Sequence, residues 1–153
     1  MISGIESRFK NPFIFGADFA ADVYDQAQSD LDKSFPTQTI LPRVSPDTKY
    51  CMYVNGAATR LLQDRGVDAS YIESGQNVVS HAFVNGRLGS FYLLDWQFKQ
   101  FVSKEERLLL PPLMAIKYHK LEDVIKGLEE HRIPRVLHYL WLEEIDWVLQ
   151  NPK

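Results

Sequence analysis

Cys51 is the only thiol in the sequence, and it opens the stretch CMYVNGAATRLLQDRG, whose apolar residues recur with helical spacing. A thiol attacks as thiolate, and a helix N-terminus favours that form because its unpaired amides carry partial positive charge. Attack also needs an imidazole within hydrogen-bond reach, held in one orientation by a carboxylate or amide. Of the four histidines, His119, His131 and His138 stand at or beside the ends of polar or helical segments, where exposure or a structural hydrogen bond is expected. His81 differs. It lies inside NVVSHAFV, sharing one face with Val79 and Phe83 while Val78, Ala82 and Val84 take the other. An imidazole there needs a partner for each ring nitrogen, so it is either a satisfied core histidine or a positioned base. Asp95 ends the apolar run FYLL and is the acid placed to orient such a ring. Taken alone, Cys51 reads equally as a small buried hydrophobe.

The elements that must position these groups are legible in outline. Phe19, Val23, Ala27 and Leu31 fall four apart, which predicts a helix from about 17 to 34 with an acidic solvent face. An irregular aromatic segment containing Pro12 precedes it. Pro36, Pro42 and Pro46 punctuate the connection to the cysteine helix, with Ser45 or Asp47 available as its N-cap. Val54, Ala57, Ala58, Leu61 and Leu62 form that helix's buried stripe, and Gly66 stands where a C-cap glycine is expected. A meander follows: ASYIES, NVVSHAFV and LGSFYLLD as strands, with NGRLG turning between the last two. Beyond it come an irregular crossing over FKQFVSKEERLLLPP, a strand MAIKYH, and helices KLEDVIKGLEEH and WLEEIDWVLQ. With the turn centred near Gly86 or Arg87, His81 faces residues 91 to 93, leaving Asp95 displaced by roughly 7 to 13 Å at about 3.3 Å per residue. A bulge near Gly89, a wider loop or a register shift would close that gap.

The order of Cys at a helix start, His in a strand and Asp at the end of the next strand resembles the papain-like and transglutaminase-like cysteine enzymes. YCMYVNGAATRLLQDRG, VVSHAFV and FYLLDWQFKQF are most similar to the protein-glutamine deamidase domains of dermonecrotic-toxin type found in bacterial toxins and injected effectors. The resemblance covers about a third of the chain. It implies Cys51 as nucleophile, His81 as general base and acid, and Asp95 as the residue that orients His81. It also implies an α+β fold with a papain-like or transglutaminase-like core, the nucleophile helix packed on an antiparallel sheet; the chain's own pattern adds N-terminal and extra C-terminal helices, and its length and composition make residues 1–153 one domain, catalytic on this reading. Trp96 stands where such sequences often carry proline. The implied reaction is deamidation of a protein glutamine, host proteins being the substrates of such effectors; the same three groups also serve cross-linking or proteolysis. An inactive binding module presenting Trp96, Trp141, Trp147 and Tyr139 is the competing reading, although core packing is the simpler role for Trp141 and Trp147.

Bulk properties narrow the rest. A net charge of −3, with 17 basic residues scattered along 153, gives no footprint for nucleic acid. One cysteine excludes an internal disulfide or a cysteine-based zinc cluster, and the histidine spacings fit no metal motif, so no cofactor is expected. MISGIESRFKNPFIFG has no continuous apolar stretch and reads as neither a signal peptide nor a membrane span. Gln97 and Gln100 offer amides to an oxyanion but read first as exposed loop residues.

Overall fold

The computed structural model describes residues 16–35, 43–76 and 79–151. The expectations for Pro12, Pro36, Pro42, Asn77 and Val78 lie outside these residues. Five helices and a four-stranded antiparallel sheet make up the described architecture. Helix α1, Ala17–Ser34, buries Phe19, Ala20, Val23, Ala27 and Leu31, the face that its four-residue spacing predicts. It packs against α2, Cys51–Asp64. Helix α2 ends where Gly66 adopts φ +82°, a conformation that costs glycine little. Val67 N–H then donates to Leu62 O at 3.0 Å, and Gly66 N–H to Gln63 O at 3.0 Å, closing the last turn.

The strands are β1, Asp68–Gln76; β2, Val79–Arg87; β3, Phe91–Asp95; and β4, Met114–Tyr118, hydrogen-bonded in that order. The region between β3 and β4 carries a 3-10 turn, Phe98–Phe101, and a short helix α3, Lys104–Arg107. Helices α4, Leu121–Glu130, and α5, Tyr139–Gln150, complete the order. Each face of the sheet is covered. On one side Val84, Leu94 and Trp96 pack with residues of α1 and α2; on the other Phe83, Leu93, Met114 and Tyr118 pack with Val124 and Leu128 of α4 and with Trp141 and Ile145 of α5.

Four expectations are corrected. The N-cap of α2 is Tyr50, not Ser45 or Asp47, and it makes no side-chain capping bond; Ser45 instead closes a local turn with Thr48. Leu61 is only partly buried, and Asn55 and Thr59 complete the buried face of α2. The hairpin turns at Leu88, Gly89 and Ser90 rather than across NGRLG, because Gly89 supplies the φ of +83° that the turn requires. Trp147 is 63% exposed, since the inward face of α5 is taken by Leu140, Trp141 and Ile145.

The seam between α4 and β4 leaves no room at Gly127, where a Cβ would lie 2.6 Å from Ile116 Cγ1 and 2.7 Å from Cγ2. Gly127→Ala is therefore expected to lower stability by about 1–3 kcal/mol, read as a reduced urea midpoint with an unchanged m-value.

Candidate active site

The site begins with a strand that stops early. The β2–β3 register pairs Val84 with Leu94, so the next pair on that face would be Ala82 with Trp96, but β3 ends at Asp95. Asn55 of α2 occupies the gap. Its Nδ2 donates to Ala82 O at 2.7 Å, and its Oδ1 accepts the Trp96 N–H at 3.0 Å. A side-chain amide thus replaces one rung of the ladder, parting the chain after Asp95 from β2 and pinning α2 to the sheet. Cys51 lies four residues before Asn55, one turn along the same helix, and is carried to the parted edge.

The same geometry resolves the offset between histidine and acid. With the turn centred on Gly89, Asp95 comes alongside Phe83 and diagonal to His81 on one face of the sheet. His81 Nε2–H donates to Asp95 Oδ2 at 2.6 Å, and both side chains are fully shielded from solvent. Trp141 Nε1–H also donates to Oδ2, at 3.0 Å; Oδ1 accepts from Asn55 Nδ2 at 3.0 Å and from the Gln97 N–H at 2.8 Å. Two donors on each oxygen compensate a buried carboxylate for the water it has lost.

The imidazole is clamped edge-on between Phe101 and Trp141, with ring centroids 4.9 and 5.2 Å away. Burial opposes its charged form, but the charge and hydrogen bond of Asp95, aided by Cys51, outweigh burial and raise its pKa from 6.5 to about 9. Cys51 lies close enough to the ring to contribute to that rise. Since Nε2 is committed to Asp95, Nδ1 is the nitrogen left for the sulfur; Gln100 Nε2 lies 3.5 Å from it. Cys51 and His81 share a cavity of about 320 Å³ with Met52, Glu73, Ser74 and Gly75.

Gln97 is fully buried rather than exposed, and its amide is committed. Oε1 accepts the Tyr50 N–H at 3.2 Å and Nε2 donates to Ser45 O at 2.6 Å, so Gln97 fixes the chain that leads into Cys51. Gln100 is partly buried and donates to Gln97 O at 3.1 Å. Neither is a loop ornament. Tyr24 of α1 adds a further restraint, its hydroxyl donating to Trp96 O at 2.6 Å.

The structure therefore brings Cys51, His81 and Asp95 into one row. Asn55, Gln97, Gln100, Phe101 and Trp141 support that row, and the sequence reading gave none of them a positioning role. Asn55 carried one signal: a polar side chain one turn past the cysteine, on the apolar stripe of α2. Two of the remaining histidines make local structural bonds. His131 Nδ1–H donates to Gly127 O at 2.7 Å, and His138 Nε2–H to Ile133 O at 3.0 Å. Trp96 and Trp141 are buried, so of the aromatic anchors named for a binding module only Trp147 and Tyr139 reach the surface. No helix among the described residues is long and apolar enough to cross a membrane. No protein-family model, curated protein or solved structure matches the chain.

Removing the Asn55 carboxamide strands the Ala82 carbonyl and the Trp96 N–H in a dry environment. Asn55→Ala is expected to cost about 2–3 kcal/mol, measured by urea unfolding, and to loosen Asp95 as well.

Proposed function

We propose that the protein is a cysteine hydrolase that converts a glutamine side chain of a protein substrate to glutamate through a thioester. The observation that carries this reading is the row of thiol, imidazole and carboxylate: Cys51 at the first position of an uncapped helix, in reach of a ring whose far nitrogen is locked to Asp95 at 2.6 Å. With its pKa near 9, His81 is an imidazolium at neutral pH. A protonated ring beside the sulfur is the arrangement from which cysteine hydrolases of this kind begin.

The thiolate attacks the carboxamide carbon, and the developing oxyanion meets the backbone N–H groups of the uncapped first turn of α2. The C–N bond breaks as His81 gives its proton to the departing ammonia. Neutral His81 then takes a proton from water, which attacks the thioester, releasing glutamate and restoring the thiolate. Glu73 on the cavity wall tolerates a neutral carboxamide, and its charge repels the carboxylate product and so assists its release. The resemblance noted above extends the proposal to a papain-like core of dermonecrotic-toxin type, acting as a toxin or delivered effector.

Intact-mass measurement of candidate substrates tests the reading. Deamidation makes each substrate about 1 Da heavier per glutamine, whereas cross-linking joins two chains with loss of ammonia and proteolysis yields fragments. Unchanged masses together with a thiol that alkylates only at alkaline pH would overturn it.

A further inference from the structure

Strand β1 is an edge. It pairs with β2 along one side only, and among the described residues no strand pairs with the other. Asp68, Ser70, Tyr71 and Glu73 are exposed along it. Ala69 O is already bonded to Gln63 Nε2 at 2.8 Å, so the free length of edge begins at Ser70; an exposed edge carries N–H and C=O groups in strand geometry, which is what an extended peptide needs in order to bind.

Three cavities meet on this edge. The first is the thiol–imidazole cavity, which Glu73, Ser74 and Gly75 line at the end of β1. The second, about 620 Å³, lies over the α2 face and is bounded by Met52, Tyr53, Gly56 and Tyr71. Its lining is mainly apolar, with Met52 58% and Tyr71 36% exposed. The third, about 510 Å³, lies over the α5 face; Trp147 stands in it beside Glu144, Asp68 and Glu73, while Arg87 is held 5.0 Å over the Phe91 ring. Met52 lines the first and second cavities, Tyr71 the second and third, and Glu73 the first and third. The edge therefore runs between one apolar and one acidic, indole-bearing recess, and ends at the thiol.

A strand added to such an edge points successive side chains to opposite faces. We infer that β1 is the docking edge for the substrate, an extended segment whose residues flanking the target glutamine alternate between apolar side chains, seated against Met52 and Tyr71, and basic side chains, seated against Trp147 and Glu144. Charge complementarity selects the basic set, since a lysine or arginine there meets the carboxylates of Asp68 and Glu144 and the face of an indole. The main-chain bonds carry affinity and the two recesses carry sequence preference. This inference rests on the deamidase reading for its glutamine but not for its edge.

The test uses the full chain as Cys51→Ala and, as probe, a capped nonapeptide with glutamine at its centre and leucine and lysine alternating outward symmetrically, so that either strand direction is served. Binding should slow amide hydrogen exchange along β1, and replacing the lysines with glutamates should weaken binding at least about ten-fold. N-methylation of one alternating set should abolish binding, and of the other set spare it, because only every second residue of an added strand bonds to the edge. Glu144→Lys should reverse the preference between lysine and glutamate peptides. Unprotected β1 amides, equal effects of the two methylation sets, or no binding of the lysine peptide would overturn the inference. So would protection of β1 that rises with protein concentration without peptide, which would mean that a second copy takes the edge. With active enzyme the two proposals separate: peptide bound on β1 but never gaining mass defeats the deamidase reading alone, and deamidation indifferent to flanking residues defeats the docking edge alone.

Discussion

Cys51→Ala is expected to leave substrate glutamines at their starting mass, with turnover reduced by on the order of 10⁴-fold or more, because in the proposed mechanism removing the nucleophile eliminates the thioester route rather than slowing it. The fold should be retained. Cys51 is only partly buried, and α2 is held instead by Val54, Asn55, Ala57, Ala58 and Leu62, so thermal unfolding of the variant is expected to stay close to that of the parent. Intact mass of substrate and a melting curve on the same sample separate lost chemistry from lost structure. Turnover that survives the substitution would reject the mechanism outright.

Asp95→Asn has the second-largest expected effect, a fall in turnover of about 10³–10⁴-fold with Cys51 still present. The substitution nearly preserves shape but removes the negative charge to which His81, Asn55, Gln97 and Trp141 all donate. Burial then dominates at His81, its pKa falls, and the alkaline limb of the pH–rate profile, expected near pH 9 in the parent, moves to lower pH. Stability should follow the same titration. In the parent, the folded pKa of about 9 lies above the unfolded 6.5, so this contribution is complete below pH 6.5 and is lost as pH rises through 9. Its full size is on the order of 3 kcal/mol. Urea unfolding at about pH 6 and about pH 9.5 should show that loss in the parent and little of it in Asp95→Asn, where the charge that raises the ring's pKa is gone. A parent whose stability is flat across that window would contradict the ion pair.

Much of the scaffold could be read before folding because the reading depended on local spacing. Phe19, Val23, Ala27 and Leu31 can share a solvent-free face only as a helix, and Gly66 marks the end of α2 by a backbone conformation that other residues resist. The meander was legible for the same reason. The details of the site were not, because they depend on register and on contacts far apart in sequence. Moving the hairpin centre from Gly86 or Arg87 to Gly89 shifts every pairing of β3 and converts an apparent gap into the diagonal contact of His81 with Asp95. Asn55 makes its bonds 27, 40 and 41 residues away, and Gln97 reaches back 47 and 52. No period in the sequence announces such partners. Trp147 was misread for a related reason: an apolar pattern spread around a helix does not say which turn faces outward.

The hydrogen bond from Trp141 to Asp95 has an implication for biosynthesis. Because α5 supplies one of the four donors to that acid and one wall around the imidazole, a chain still emerging from the ribosome cannot bring the thiol, ring and acid into their observed arrangement until α5 has left the exit tunnel. Cleavage before Tyr139 would take away the Trp141 contacts to Asp95 and His81 while leaving Cys51 in place.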